Sequence, residues 1–157
     1  MTRSYLPGLR KFGGLLAALL LSAGAYADSG IQVDGAWTRA TAPGRDTASV
    51  FLYITSKQDA TLVGASSPAA RAVEMRTMEH KGSMMKTLTI DAIPLPANKR
   101  VDMTSIHGYH LTLTGLNAPL QAGTTVPLTL DVAIAGKQNI SVGVQAEVRP
   151  LKAATQK

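Results

Sequence analysis

The sequence predicts an all-β domain, a β-sandwich or Greek-key barrel of about eight or nine strands. From residue 31 onward, short segments that alternate apolar and polar residues are separated by Gly, Pro, Asn and Ser. This pattern is typical of strands joined by turns. Beyond the first 27 residues, no segment shows the 3.6-residue apolar period of a helix, and no internal repeat is present.

The first 27 residues have the composition of a signal peptide. Their start is basic, with Arg3, Arg10 and Lys11, and an apolar run follows over 12–22. Ala25-Tyr26-Ala27 forms a small-x-small cleavage site. The apolar run is shorter than the about 20 residues that a membrane span needs, although a retained membrane anchor is the alternative. We expect cleavage after Ala27, export to the periplasm and no membrane span after processing.

Removal of 27 of the 157 residues leaves 130, the size of one ordinary domain. We expect a signal peptide at 1–27, a single domain at 28–149 and a flexible tail at 150–157. The leader takes with it three of the 16 basic residues and none of the ten acidic ones, which leaves a net charge of +3. No basic run is interleaved with aromatic residues, so nucleic acid is not an expected partner. The absence of cysteine excludes disulfides and thiolate metal sites.

The alternating segments and the turn residues between them give the positions of the strands. The predicted strands cover residues 31–40, 47–55, 60–66, 73–79, 84–90, 100–104, 109–116, 126–133 and 139–148. Trp37 is expected to be the large core residue of the first strand. The segment Pro94-Leu95-Pro96-Ala97-Asn98 is expected to be a loop, because two prolines do not fit a central strand.

The fourth and fifth predicted strands are expected to form a hairpin around Lys81-Gly82, a plausible two-residue loop. In that register, residues whose numbers sum to 163 lie opposite one another. Met78 then lies opposite Met85, with β-carbons about 4.5–5.5 Å apart. Because side chains alternate with a period of two, both methionines share one face of the hairpin with His80.

Histidine and methionine are concentrated in residues 73–116. This stretch contains all three histidines (His80, His107 and His110) and all five methionines outside the leader. Imidazole and thioether donors without any cysteine suit a soft ion such as Cu(I). The alternative is that the methionines fill gaps in an apolar core and that hydrogen bonds satisfy the histidines.

Five ordered motifs between residues 33 and 130 resemble the periplasmic copper chaperone family called PCu(A)C, and the resemblance covers residues 33–148. They are VDGAWTRATAPGRDTASVFLYITS, GASSPAARAVEMRTM, IPLPANKRVDM, GYHLTLTGL and PLQAGTTVPLTL. The resemblance implies a cupredoxin-like fold that binds Cu(I) and delivers it toward the copper A centre of cytochrome c oxidase. The implied partners are a copper ion and an oxidase subunit or another periplasmic copper carrier, and the protein is expected to be a monomer.

The family's copper ligands follow a His-x10-Met-x21-His-x-Met pattern, from which this sequence departs. Three of the four positions carry Arg76, Thr87 and Thr112, and His110 alone is kept. The spacing before His110 is 22 residues, with an extra residue near His107. Arginine has no lone pair to offer, and threonine hydroxyls are poor partners for a soft ion. The inherited site is therefore predicted to be inactive.

Several functions stay open at this point. One is a relocated Cu(I) site built from Met78, His80, Met85 and His107 beside His110. A second is a metal-independent binding or scaffolding protein that keeps the fold, and a third is an anion-binding module that uses the arginine at the first ligand position. An enzyme is not expected, because the sequence contains no nucleophile elbow, phosphate-binding glycine loop or His-Glu-x-x-His motif.

Overall fold

The computed structural model describes residues 29–151, and every regular element within that range is a strand. This confirms the predicted all-β class. The predicted signal peptide at 1–27 and the tail residues 152–157 lie outside the described residues. The ten strands are β1 Ile31–Arg39, β2 Thr47–Ser56, β3 Ala60–Ser66, β4 Ala70–Lys81, β5 Met84–Ile90, β6 Ile93–Leu95, β7 Arg100–Met103, β8 His110–Leu116, β9 Thr125–Ile134 and β10 Ile140–Arg149.

One hydrogen-bonded path connects nearly all the strands, in the order β5-β4-β8-β2-β1-β10-β9-β3-β6. β7 lies off this path and pairs with β2. The pairing of β1 with β10 is parallel, and the other strand pairs are antiparallel. The path curls so that its two halves cover a common core, since buried residues of β2, β8, β9 and β10 belong to one cluster.

The core follows from the period-two alternation of the strands. β9 alternates buried and partly buried residues along most of its length, with Leu128, Leu130 and Val132 turned inward. On the facing half, Leu52 of β2 and Leu111 of β8 are completely buried. A core of aliphatic and methionine side chains is consistent with a domain that has no disulfide, because burial of apolar surface is its main stabilising contribution.

Trp37 is not in this core, so the prediction for the first strand was wrong at that position. Asp34 pairs with Tyr53 but Trp37 pairs with Phe51, so β1 has one extra residue between the two pairs. Gly35 adopts φ +58 within this bulge, a backbone conformation that suits glycine. The extra residue reverses the alternation. Trp37 therefore packs on the outer face against Phe51, with ring centroids 4.8 Å apart.

The segment around Pro94 also differs from the prediction. Residues Ile93–Leu95 form β6, which pairs with β3 at the end of the strand path. Pro94 is exposed, whereas Ile93 and Leu95 are buried on the core side. An edge strand tolerates proline because it has one side without a ladder partner. The rule that excluded proline applies to central strands only.

The β4–β5 hairpin forms in a register two residues away from the predicted one. Its loop is Gly82-Ser83, with Gly82 at φ +64. Met78 lies opposite Thr87 and not opposite Met85, whose partner is His80. A shift of two residues leaves every side chain on its predicted face, because the side-chain period in a strand is two. The predicted face is therefore right and the predicted partners are wrong.

The core can be tested with two valines on neighbouring strands. Val132 of β9 is completely buried, whereas Val63 of β3 is 37% exposed. We expect Val132→Ala to lower the free energy of unfolding by about 2 kcal/mol or more, because it removes two buried methyl groups and leaves a cavity. The matched change Val63→Ala should cost less than about 0.5 kcal/mol. Urea denaturation followed by circular dichroism measures both, and equal costs would contradict this placement of the core.

Candidate metal site

The pairing of β4 with β8 sorts their side chains into an inner and an outer set. Met75 lies opposite Leu111, and both are buried in the core. The neighbouring pair, Arg76 and His110, therefore lies on the opposite, outer face of the sheet. Met78 shares that outer face, two residues further along β4. The outer face of β4, β5 and β8 thus collects the residues that the sequence singled out.

His107 reaches this face from the loop that joins β7 to β8. Its Nδ1 atom lies 3.3 Å from the sulfur of Met78, although the two residues are 29 positions apart in the sequence. The loop has a defined shape, because Ser105 accepts hydrogen bonds from two backbone amides. The Gly108 amide donates to its carbonyl at 3.1 Å, and the His107 amide donates to its hydroxyl oxygen at 3.1 Å.

The separation of these two donors is compatible with a shared metal ion. A first-row ion holds nitrogen at about 2.0 Å and sulfur at about 2.3 Å, which puts two ligand atoms about 3.3 to 4.3 Å apart for ordinary bond angles. The distance of 3.3 Å between the Met78 sulfur and His107 Nδ1 lies at the short end of that range. The pair can therefore accept an ion after a small movement outward.

A second histidine and a second methionine face each other close by. His80 and Met85 are direct partners across the hairpin, so their β-carbons lie about 4.5–5.5 Å apart. Met85 is diagonal to Met78, the arrangement in which long side chains still reach one another. Met85 is 48% exposed, and His80 is also exposed. The structure thus groups the four predicted donors on one face, with one direct contact among them.

Arg76, at the first inherited ligand position, is not the unpaired positive charge that the sequence suggested. The Arg76 guanidinium binds the carboxylate of Glu74, at 2.9 Å from Nε and 2.6 Å from Nη2. Both residues are partly buried on the outer face. The carboxylate largely neutralises the arginine, which weakens both its repulsion of a cation and its suitability for an anion. The strand period places these residues side by side, so sequence reasoning had the signal for this ion pair and missed it.

His110 and Thr112, the two inherited positions on β8, are both buried, each with 5% exposure. The Nδ1 atom of His110 donates to the Gly108 carbonyl at 3.1 Å, since a carbonyl can only accept. In the neutral ring, Nε2 then keeps its lone pair. The Thr112 hydroxyl has no hydrogen-bond partner within the described part of the chain, an arrangement that costs about 1–3 kcal/mol. Thr87, the remaining inherited position, is exposed opposite Met78.

Within residues 29–151, no three side chains of His, Cys, Asp or Glu converge in the way that a metal site of those residue types requires. The histidines of the described part therefore do not form a site by themselves or with carboxylates. Any site on this face needs the sulfur atoms of Met78 and Met85 as well as the imidazoles. Thioether ligands select soft ions, which favours Cu(I) over zinc or calcium.

A carboxylate that the sequence did not single out fixes the start of the His107 loop. Asp102 Oδ1 accepts from the Thr104 hydroxyl at 2.5 Å and from the Thr104 amide at 2.8 Å. These two hydrogen bonds hold the pKa of Asp102 below its ordinary value, and the bond from the hydroxyl has the larger effect. The positive charge of Arg100 adds a smaller effect in the same direction. An Asp two residues before a Thr at a strand end is the sequence signal for such a turn.

Comparison with known proteins identifies the family. The family described as "Putative lipoprotein LpqE-like" matches residues 31–144, most of the sequence. The chain belongs to this LpqE-like, PCu(A)C-type family. One relative of this chain is "Putative lipoprotein Lxx21020" of Leifsonia xyli subsp. xyli. It is 30% identical over 131 residues, which cover 83% of this chain and 78% of that protein.

Solved structures with this LpqE-like fold include copper-bound proteins. A structure titled "Copper-bound PCuAC domain from PmoF2" superposes with a TM-score of 0.61 at 23% identity, over 80% of this chain and 97% of that one. The Cu(I) form of DR1885 from Deinococcus radiodurans superposes with a TM-score of 0.53 at 29% identity, over 81% of this chain and 83% of that one. The apo form of DR1885 superposes with a TM-score of 0.55 at 26% identity, over 95% of both chains. These similarities confirm the predicted cupredoxin-like fold.

Membership of the LpqE-like family, which is described as a lipoprotein family, indicates an exported protein with a domain of the copper chaperone type. Within residues 29–151, no helix has the length and apolar character that crossing a membrane would require.

The anchor of the His107 loop can be tested by titration. Because the pKa of Asp102 is lowered in the folded protein, its hydrogen bonds to Thr104 stabilise the loop above the ordinary pKa and are lost as the pH falls through the lowered one. We expect Thr104→Val to raise the pKa of Asp102 toward its ordinary value. Thr124→Val, which removes a hydroxyl bonded to the Gln121 carbonyl, should leave it unchanged. Carboxyl ¹³C NMR measures both, and an unchanged pKa in Thr104→Val would contradict this anchor.

Proposed function

We propose that this protein is a periplasmic Cu(I) carrier whose ion binds at the β4–β5 hairpin and not at the inherited family positions. The proposed ligands are Met78, His80, Met85 and His107. The observation that supports this site is the contact of 3.3 Å between the Met78 sulfur and the His107 ring nitrogen, which brings the two kinds of soft donor together. In this proposal, copper is the cargo of the protein.

The proposed donor set has the same composition as the set that the family resemblance implies. Both contain two imidazoles and two thioethers, the combination that suits Cu(I). In this chain the inherited positions instead hold an ion-paired arginine and two threonines, so only His110 there can donate to a soft ion. Met78 and His80 follow Arg76 on the same outer face, two and four residues closer to the hairpin loop, and Met85 lies opposite His80.

Exposure of the hairpin supports the role of a carrier, because a carrier must give its ion to another protein. Met85 and His80 are accessible to an approaching ligand, which allows exchange through a shared coordination sphere. Two copper-bound relatives of the fold, named above, support the choice of cargo. On the family resemblance, we further propose cleavage after Ala27, a monomeric state, and delivery toward the copper A centre of cytochrome c oxidase, directly or through another copper carrier.

The proposed site predicts which methionine contributes to the affinity for Cu(I). Competition of the metal-free protein with a Cu(I)-selective chromogenic chelator should show that Met78→Leu and His107→Ala each weaken binding by about tenfold or more, a loss of roughly 1.4 kcal/mol. Met84→Leu is the matched control, because Met84 lies in the same hairpin, is 72% exposed and points to the opposite face. Equal effects of Met78→Leu and Met84→Leu would contradict the site.

A metal-independent binding or scaffolding protein is the second candidate. The Arg76–Glu74 ion pair favours it, because this pair is a stable polar replacement for a lost ligand. In that case the unmodified protein would bind Cu(I) no more tightly than its Met78→Leu variant, and the fold would retain only its partner surface. The chelator competition therefore separates the two candidates directly.

The inherited site can be rebuilt on the same scaffold. Arg76 lies directly opposite His110, so Arg76→His would place two imidazoles on neighbouring strands with β-carbons about 4.5–5.5 Å apart. We expect Arg76→His, Thr87→Met and Thr112→Met together to restore Cu(I) binding in a Met78→Leu, His107→Ala background. The chelator competition measures the gain.

His110→Ala added to the rebuilt protein is the control, and it should remove the regained affinity. A regained affinity that survives this change would place the ion elsewhere. A rebuilt protein that folds but does not bind would show that the extra residue before His110 has moved the β8 positions away from those of β4.

A further inference from the structure

A second surface of the molecule lies on the other side of the His107 loop. It is an open groove of about 670 Å³ on the outer face of β1 and β2, and we call it the Trp37 groove. The residues of the groove that matter here are Trp37, Arg39, Arg45, Phe51, Ile106 and Leu151. Ile106 and Leu151 are 48% and 53% exposed, so two of the most exposed large apolar side chains of the described chain lie at its rim.

The groove is held in a defined shape by main-chain and hydroxyl hydrogen bonds. The Ala40 amide donates to the Arg149 carbonyl at 2.8 Å. Thr41 is fixed to Leu120 in both directions, because the Thr41 amide donates to the Leu120 carbonyl at 3.0 Å and its hydroxyl accepts from the Leu120 amide at 2.8 Å. A surface fixed in this way loses little conformational entropy when a partner binds.

Like charges are concentrated around the tryptophan. The guanidinium of Arg149 lies 4.8 Å from the Trp37 ring centre and that of Arg39 lies 5.7 Å from it. These two arginines are direct partners across β1 and β10, an unfavourable arrangement for like charges. Glu147 pairs with Arg149 at 3.3 Å. Among the described residues, no carboxylate pairs with Arg39 or with Arg45, and none lines the groove.

We propose that the Trp37 groove docks an acidic segment of a partner protein. Carboxylates of that segment would accept hydrogen bonds from the guanidinium groups of Arg39 and Arg45, which can donate two parallel bonds to one carboxylate. A large apolar side chain next to them would pack between Trp37 and Ile106. Binding would relieve the repulsion between the arginines and would cover apolar surface that is otherwise in water.

The composition of the groove favours a polypeptide over a small anion. Tryptophan and arginine are, with tyrosine, the residue types enriched among the energetically dominant residues of protein interfaces. A small anion would use the arginines but leave Ile106 and Leu151 exposed. This proposal is independent of copper, because none of the residues it uses is a proposed ligand, and its test uses metal-free protein.

The test uses the full, metal-free chain and a fluorescein-labelled ten-residue peptide of alternating Glu and Leu. Fluorescence anisotropy should show saturable, salt-sensitive binding. The same peptide with Lys in place of each Glu should not bind. The chain has a single tryptophan, so acrylamide quenching reports on the groove itself. We expect the acidic peptide to protect Trp37 from quenching, and we expect Arg39→Gln with Arg45→Gln to weaken binding by about tenfold or more.

Arg100→Gln is the matched control, because Arg100 also stacks on an aromatic ring, 3.8 Å from the centre of Tyr53, but lies outside the groove. It should leave peptide binding unchanged. No saturable binding up to about 1 mM peptide, binding without protection of Trp37, or an equal loss in Arg100→Gln would overturn the proposal. Stronger binding to anionic phospholipid vesicles than to the peptide would overturn it as well, in favour of a membrane surface. Circular dichroism confirms that each variant is folded.

Discussion

The pairing of β4 with β8 is the constraint on which the functional face depends. With Met75 opposite Leu111 in the core, Arg76 and His110 must meet on the outside, and every second residue of β4 toward the hairpin follows them. Core packing thus decides which side chains lie on the outer face of the sheet, although none of those side chains contributes to the core. The donors on the hairpin, Met78, His80 and Met85, therefore take their orientation from the packing of Met75 against Leu111, two residues that belong to the core.

The loop at residues 104–108 lies between the Trp37 groove and the proposed copper site. Ile106 lies at the rim of the Trp37 groove, whereas His107, its neighbour in sequence, contacts Met78 on the other side. Asp102 and Ser105 hold the loop at its base. If a docked partner moves this loop, thermodynamic linkage requires that ligands at the two surfaces change each other's affinity by the same factor. Negative coupling of this kind would serve a carrier, because docking of the partner would then promote release of the ion.

Sequence reasoning found the strands because alternation and turn residues are local signals, and it placed β3 and β5 at the bounds that the structure shows. It also placed Met78, His80 and Met85 on one face. The partners within the hairpin were wrong by two residues, since such a shift leaves the alternation intact. Trp37 was placed in the core because one extra residue at Gly35 is invisible to a periodic pattern. The contact of His107 with Met78 depends on chain folding over 29 residues, which no local pattern encodes.

The solvent-exposed thioethers of Met84 and Met85 make the hairpin sensitive to oxidation. The sequence has no cysteine, so methionine is the oxidisable sulfur that it offers. Met84 and Met85 are 72% and 48% exposed, whereas Met75 and Met103 are shielded in the core at 5% and 0%. Oxidation to the sulfoxide replaces a soft sulfur donor by a polar group with a hard oxygen. An oxidant would therefore damage the proposed copper site at the hairpin before it reached the methionines of the core, and a methionine sulfoxide reductase would reverse that damage without any refolding.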